Sequence, residues 1–325
     1  MTIKSTLVAL LLSVASLASA AQAAEITLKA SHNANATEPY NLGMERMGEL
    51  LKEMTGGKAE IQVFPNAQLG DEMESIQGTQ IGTIDIAVTA NETLVNFAPD
   101  MGVFSMPFLF EDAEQMDRAL NAPEVREYVN EVLGKQGFRL IGFFSAGTRH
   151  IMTKKPVTSM QDLSGMKIRT MQNPAHLAAF KDFGANPTPL AYSELYGALE
   201  TGVVDGAEAA NTNYYSKKFY EVAPNWAIVG WLELVAPVIM GEARFQQLPE
   251  DVQKALIEAG TQAAAYQRQT YRESDAKLYD ELVKAGVNVT KPDVAPFRAE
   301  ADKIYATYVT TDEQKRLVEL LKTVK

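Results

Sequence analysis

"EITLKASHNANATEPYNLGMERMGELLKEMTGGKAEIQVFPNAQLGDEMESIQGTQIGTIDIAVTA", residues 25–90, decides the fold. Its opening "EITLKASH" alternates apolar and polar side chains with the two-residue period of a strand. Pro39 precedes an amphipathic helix over 41–54, closed by Gly56-Gly57. "AEIQVFP" is a second strand. "GDEMESIQGTQIG" is a second helix, with acidic residues in its first turn where the helix dipole favours them. "TIDIAVTA" is a third strand. Strand, helix, strand, helix, strand is the rhythm of a parallel sheet with helices on its faces.

The rhythm continues. Helices are predicted over 111–134, and "FRLIGFFSA" and "RHIMTKKPV" read as two further strands before the loop "TSMQDLSG". In "GMKIRTMQNP", residues 165–174, Met166, Ile168 and Thr170 share one face of a short strand and Lys167 and Arg169 the other. "NPAHLAAFKDFG" is a helix with Pro near its start and Gly at its end. "SELYGALETG" is another, capped by Ser193, and "VVDGAEAA" a short buried strand and turn. A long helix follows over 249–286, apolar along Val252, Ala255, Leu256 and Ala259, and long enough to run across two lobes. The chain has 325 residues, which suits two domains better than one core. No Ser/Gly linker separates them, so strands or helices must cross between them.

The first residues belong to neither domain. "MTIKSTLVALLLSVASLASAAQAAE" has one lysine, an apolar run over 7–17, then small residues. Ala18-Ser19-Ala20 and Ala21-Gln22-Ala23 both fit a signal-peptidase site, so residues 1–23 read as a signal peptide cleaved near Ala23. The run is too short for a stop-transfer helix. The absence of cysteine removes a lipid anchor, disulfides and thiolate chemistry. An exported, soluble protein is expected. The formal net charge of -11 opposes nucleic acid and anionic membranes. It leaves an anionic small ligand open, because global charge is screened beyond about 10 Å.

Enzyme motifs are missing: there is no G-x-S-x-G, no H-E-x-x-H, no Walker loop, and no G-x-G-x-x-G after a strand. His32, His150 and His176 lie far apart without metal-ligand spacing and are expected to be structural or exposed. Asp205 and Glu208 have the look of an acid-base pair, but an Asp-Gly turn beside a solvated or paired Glu explains them better. Arg149 and Arg169 each leave an apolar strand at its carboxyl end, where ligands bind in open α/β sheets. A guanidinium offers a planar fork for a carboxylate and keeps its charge. Each arginine is read either as a ligand contact or as an ion pair holding the lobes. "NTNYYSKKFY", residues 211–220, gathers amides and phenols suited to a polyol or hydroxy-acid. The alternative is a helix start capped by Asn211 or Asn213, with Tyr214, Tyr215 and Phe219 packing.

The chain resembles the DctP-type substrate-binding proteins of tripartite ATP-independent periplasmic (TRAP) transporters over essentially the whole mature sequence. The landmarks are "LGDEMESIQGTQIGTIDIAV", "FSMPFLF", "AGTRHIMTKKPV", "DLSGMKIRTMQNP", "GANPTPLAYSELYGALETGVVDGAE", "SKKFYEV" and "LPEDVQKALIEAG", in that order. The resemblance implies a two-lobed α/β periplasmic binding protein with a cleft between lobes joined by crossing strands and a long helix. Lobe one would comprise 25–146 plus 235–274, and lobe two 147–234 plus 275–325. It implies a protein without catalysis that captures an organic acid in the periplasm and hands it to integral-membrane subunits. A monomer with no cofactor or metal is expected, and the net charge argues against a nucleic-acid partner. By the same likeness Arg169 pairs with the ligand carboxylate and Arg149 makes a second anionic or hydroxyl contact. Tyr192 lies beside the ligand and Asn33 is a polar first-loop contact.

Two positions depart from the family. Its common "D-G-x-E-N-P" reads "DGAEAAN" here, with Ala209 at the asparagine, so Asn211 or Asn213 stands as the replacement. Ala90 occupies the place of a glutamate found in sialic-acid binders, followed by Asn91, which argues against a sialic-acid pocket. Asn91 and Gln172 complete the expected contacts. A sugar acid or other hydroxy-acid suits the amides and tyrosines, and a dicarboxylate suits the two arginines. A ligand-sensing protein and a secreted hydrolase using Asp205 and Glu208 are the rival roles.

Overall fold

The computed structural model describes residues 24–324, so the expected signal peptide lies outside the described residues. Strands β1 (Ile26–Ser31), β2 (Ala59–Phe64) and β3 (Ile86–Val88) form a parallel unit in the order β2-β1-β3. The crossovers are the helices Pro39–Met54 and Glu72–Ile81. The second starts at Asp71, whose carboxylate accepts from Glu72 N, and stops at Gly82, whose φ of 77° only glycine adopts readily.

Six more strands complete one sheet: β4 (Phe138–Thr153), β5 (Lys167–Thr170), β6 (Asn186–Pro189), β7 (Gly206–Ala209), β8 (Asn225–Gly241) and β9 (Asn288–Thr290). Their order is β2-β1-β3-β8-β4-β7-β5-β6, with β9 on β8. The sheet is mixed rather than parallel. β8 runs antiparallel to β3 and β4, and β4 antiparallel to β7, so two parallel units are joined by a long antiparallel pair. The two strands expected over 138–157 are one, and its partner β8, a near-continuous apolar run, is a strand absent from the expected elements. Both are buried on both faces, so neither alternates clearly.

Gly147 looks like a strand break and is instead a bulge. Ser145 faces Val235 and Thr148 faces Glu233, so β4 carries one residue more than β8 across this step. Gly147 has a φ of 78°, and a Cβ there would lie 2.4 Å from the Tyr271 ring and 2.9 Å from Ala210 Cβ. Gly147→Ala is therefore expected to lower stability by about 1–2 kcal/mol from backbone handedness alone, with overlap adding more. Urea unfolding measures it, and an unchanged midpoint would refute the requirement.

The helix Glu250–Lys284 has 35 residues and is therefore about 52 Å long. Gly142 and Gly260 let it lie directly on β4, where added Cβ atoms would meet main-chain oxygen at 2.8 and 2.4 Å. Gln267 fastens it there: its amide donates to Ser145 O at 2.9 Å and accepts from Ser145 N at 2.8 Å. Tyr271 donates to Ala146 O, and farther along Asp275 accepts from Thr212 N and Oγ1. The helix is thus fastened to β4 just before the bulge and to the helix Asn211–Ser216. Among the described residues no helix is long and apolar enough to cross a membrane.

Candidate functional site

β7 lies between β4 and β5, which brings three charged side chains together. Glu208 on β7 accepts from Arg149 Nε on β4 at 2.6 Å, and its other oxygen lies 3.6 Å from Arg169 Nη1 on β5. All three are buried. Burial would raise Glu208, but the two guanidinium groups outweigh it and hold the carboxyl below its ordinary range. Burial likewise works against the charge on Arg149, and Glu208 more than offsets it. For Arg169 burial wins, lowering its pKa against the pull of Glu208 and Glu72. Two arginines against one glutamate leave one unit of positive charge in the group.

The arginines differ in what they have left to offer. Arg149 spends Nε on Glu208 and its two amino groups on Ala146 O and Glu208 O. Arg169 gives Nε and one Nη2 hydrogen to Leu190 O, at 3.0 and 2.8 Å. Of its five N–H donors, the pair on Nη1 and one on Nη2 make no hydrogen bond among the described residues. That is the outer edge of the fork, the edge that grips a carboxylate.

This edge borders a cavity with about 500 Å³ of atom-free space, part of it continuous with solvent. Glu72, at the first turn of its helix, accepts from Ala90 N at 2.9 Å and Thr93 Oγ1 at 2.5 Å, and burial pushes it up to about 7. Glu38, also in the wall, accepts from Asn35 N and is raised by burial. The Tyr192 hydroxyl is buried without a hydrogen-bond partner among the described residues. Tyr40, Met171, Leu234, Pro39 and Ala90 supply apolar surface. One cationic fork, two carboxyl acceptors, a free phenol and apolar faces suit an anion that also carries hydroxyl groups.

Of the residues expected from sequence, Arg149, Arg169, Tyr192, Asn33 and Asn213 line this one cavity. Asn33 donates to Asp71, and Asn213 accepts from Ala210 N, which leaves its amide hydrogens for the cavity. Three residues lie elsewhere. Asn211 is used in the scaffold, donating to Asp275 and accepting from Trp226 Nε1. Asn91 is buried and donates to Met101 O and Ser105 Oγ. Gln172 borders an adjoining crevice beside Asp71, Glu72 and Thr93. Asp205 accepts from Lys167 N, so it and Glu208 serve different neighbours and form no acid-base pair.

Glu38, Glu72, Tyr40 and Tyr271 are not among the residues expected from sequence. Glu72 had one available signal: it opens the helix after β2, at the carboxyl end of a parallel unit. Tyr271 sits far inside a helix and carries no local signal.

The walls touch across the opening. Lys217 Nζ donates to Asn33 O and Asn66 Oδ1, both at 3.3 Å, and Ser193 N donates to Asp71 at 3.0 Å. Asn35 donates to Ser216 O, and Asn96 to Gln172 O.

A family model described as bacterial extracellular solute-binding protein, family 7, matches residues 30–312. A solute-binding protein of Roseobacter denitrificans is 34% identical over 314 residues, spanning 95% of this chain and 94% of that one. The structure of a TRAP periplasmic solute-binding protein from that organism with bound L-galactonate superposes with a TM-score of 0.86 at 32% identity, covering 92% and 99% of the two chains. The counterpart from Xanthobacter autotrophicus Py2, with bound β-D-galacturonate, gives a TM-score of 0.89 at 28% identity, covering 92% and 100%.

Proposed function

Because the chain belongs to family 7 of the bacterial extracellular solute-binding proteins, we propose that its cleft captures a sugar acid, a uronate or aldonate, for the membrane subunits of a TRAP transporter. The observation that carries this reading is the outer edge of Arg169, which makes no hydrogen bond and only a looser ion pair with Glu208, beside a cavity whose other polar groups accept from or donate to hydroxyls. Arg169 receives the carboxylate. Glu72 and Glu38 accept from ring or chain hydroxyls, and Tyr192 and Asn213 supply the remaining polar contacts. Arg149 acts through Glu208, which it holds against Arg169.

The same wall argues against a dicarboxylate. A second carboxylate would face Glu38 or Glu72, and burial raises both, so each would have to hold a proton beside it instead of accepting from a hydroxyl. The lobes divide as residues 25–146 plus 235–274 and residues 147–234 plus 275–325. The bulge at Gly147 and the hydrogen bonds across the opening support that division. The mature protein, without residues 1–23, works in the periplasm as a monomer. It binds and releases its ligand unchanged, and closure around the ligand follows from contacts to both lobes.

Calorimetry with D-galacturonate, L-galactonate and succinate tests the reading. Saturable one-to-one binding of a sugar acid, with none of succinate, is expected. Binding of succinate alone would overturn the assignment of the carboxyl acceptors.

A further inference from the structure

Glu92 and His176 lie on opposite sides of the seam between the lobes, in the helices Asn91–Leu94 and Pro174–Asp182. Both are fully buried, and His176 Nε2 is 3.5 Å from Glu92 Oε1. Both Glu92 oxygens and both His176 ring nitrogens lack a hydrogen-bond partner among the described residues. The main chain around them is tied across the seam by Asn173, which donates to Glu92 O and Ser105 Oγ and accepts from His176 N. A crevice lined by Asn96, Ser105, Asn173 and Tyr308 leads from the surface to those tying residues.

A carboxylate sealed in such a place does not stay charged alone. Either it binds a proton or the imidazole beside it does. The closed pair therefore holds one proton, whichever atom carries it. When the lobes part, water enters along the seam and solvates both groups, so the open pair no longer needs a shared proton.

We propose that Glu92 and His176 form a proton-binding site across the lobe seam, so that the protein takes up one proton as it closes on its ligand. This rests on the closing, two-lobed reading above. Other charged groups surround the pair. Glu208 on β7, held by Arg149, lies within electrostatic reach of His176. β5 contributes Arg169 and the exposed Lys167, and β8 contributes the Trp231 ring at 4.7 Å and Glu233, bound to Thr148. The segment Pro99–Ser105 contributes the exposed Asp100, and the helix Ala295–Tyr308 contributes Arg298, whose guanidinium covers the Phe108 ring. β6 has no titratable side chain. The helix behind Glu92 contributes Glu72, which binds Thr93 and titrates near neutrality on its own account. The proton assigned to the pair is therefore the difference between the wild type and a variant lacking Glu92.

Calorimetric titration of D-galacturonate in buffers of unlike ionisation enthalpy counts the protons taken up. The wild type is expected to take up about one proton more than Glu92→Gln at pH 6 and at pH 8, because a neutral amide in place of the carboxyl leaves His176 to be buried uncharged. Raising the pH by one unit then weakens wild-type binding about tenfold more than it weakens binding by the variant. His176→Gln should keep the wild-type count at pH 8, since Glu92 then binds the proton itself. If Glu92→Gln does not fold, Glu92→Met combined with His176→Phe replaces the pair with apolar groups and should show the same loss at pH 8. Equal proton counts in the wild type and the Glu92 variant overturn the inference and leave the binding reading intact. Failure of the wild type to bind either sugar acid at any pH overturns the binding reading and this inference with it.

Discussion

Arg169→Ala is expected to weaken sugar-acid binding at least about thirty-fold. A charge-assisted hydrogen bond contributes about 1.5–3 kcal/mol. Truncating one partner of a buried charged pair costs about 2–5 kcal/mol, because the other charge stays in the dry site. The lower bound, about 2 kcal/mol, is about a thirty-fold change in Kd. The geometry makes the loss specific. Leu190 O already anchors Nε and Nη2, so the guanidinium is held with its free edge toward the cavity. Arg169→Lys should lose much of the affinity too, since an ammonium cannot satisfy Leu190 O through a fork while presenting two parallel donors to the ligand. Calorimetry on folded protein decides it: affinity near the wild-type value in Arg169→Ala would remove this residue from the site.

The second large effect is on stability. Glu208→Ala leaves two buried guanidinium groups without their shared carboxylate. Breaking a buried pair from one side costs about 3–5 kcal/mol, and here both arginines lose their partner. Urea unfolding of the ligand-free variant should show this loss. A saturating sugar acid should restore part of it, since its carboxylate returns a negative charge to Arg169. A ligand-free variant as stable as the wild type would mean that the arginines are not held by Glu208 as the distances indicate.

Much of the architecture was legible because its first units are local. Each strand from β1 to β3 is short, one face or both are apolar, and β1 and β2 are each followed by a helix of their own, so period and turn chemistry agree. β4 and β8 were harder. Their partners are far away in sequence, they are buried on both faces, and a glycine within β4 imitates an end. The site divides the same way. Arg169 announced itself as a charge leaving an apolar strand, whereas Arg149 drew notice through an apparent strand end and in fact lies inside β4, which runs on to Thr153. Glu38, Tyr40 and Tyr271 reach the cavity through the packing of helices against the sheet, which no local pattern records. Asn211 shows the reverse: a chemically suitable side chain whose hydrogen-bonding capacity is taken by Trp226 and Asp275.

The long helix has a consequence of its own. Gln267 meets Ser145 on β4 and Asp275 meets Thr212 in the helix after β7, and the rod between them has fixed pitch. Adding or deleting a single residue in that interval would turn the far attachment about 100° around the axis. Exposed side chains along this stretch can be exchanged without moving either attachment, whereas a change in its length turns one of them away from its partner, so the interval acts as a gauge of fixed span.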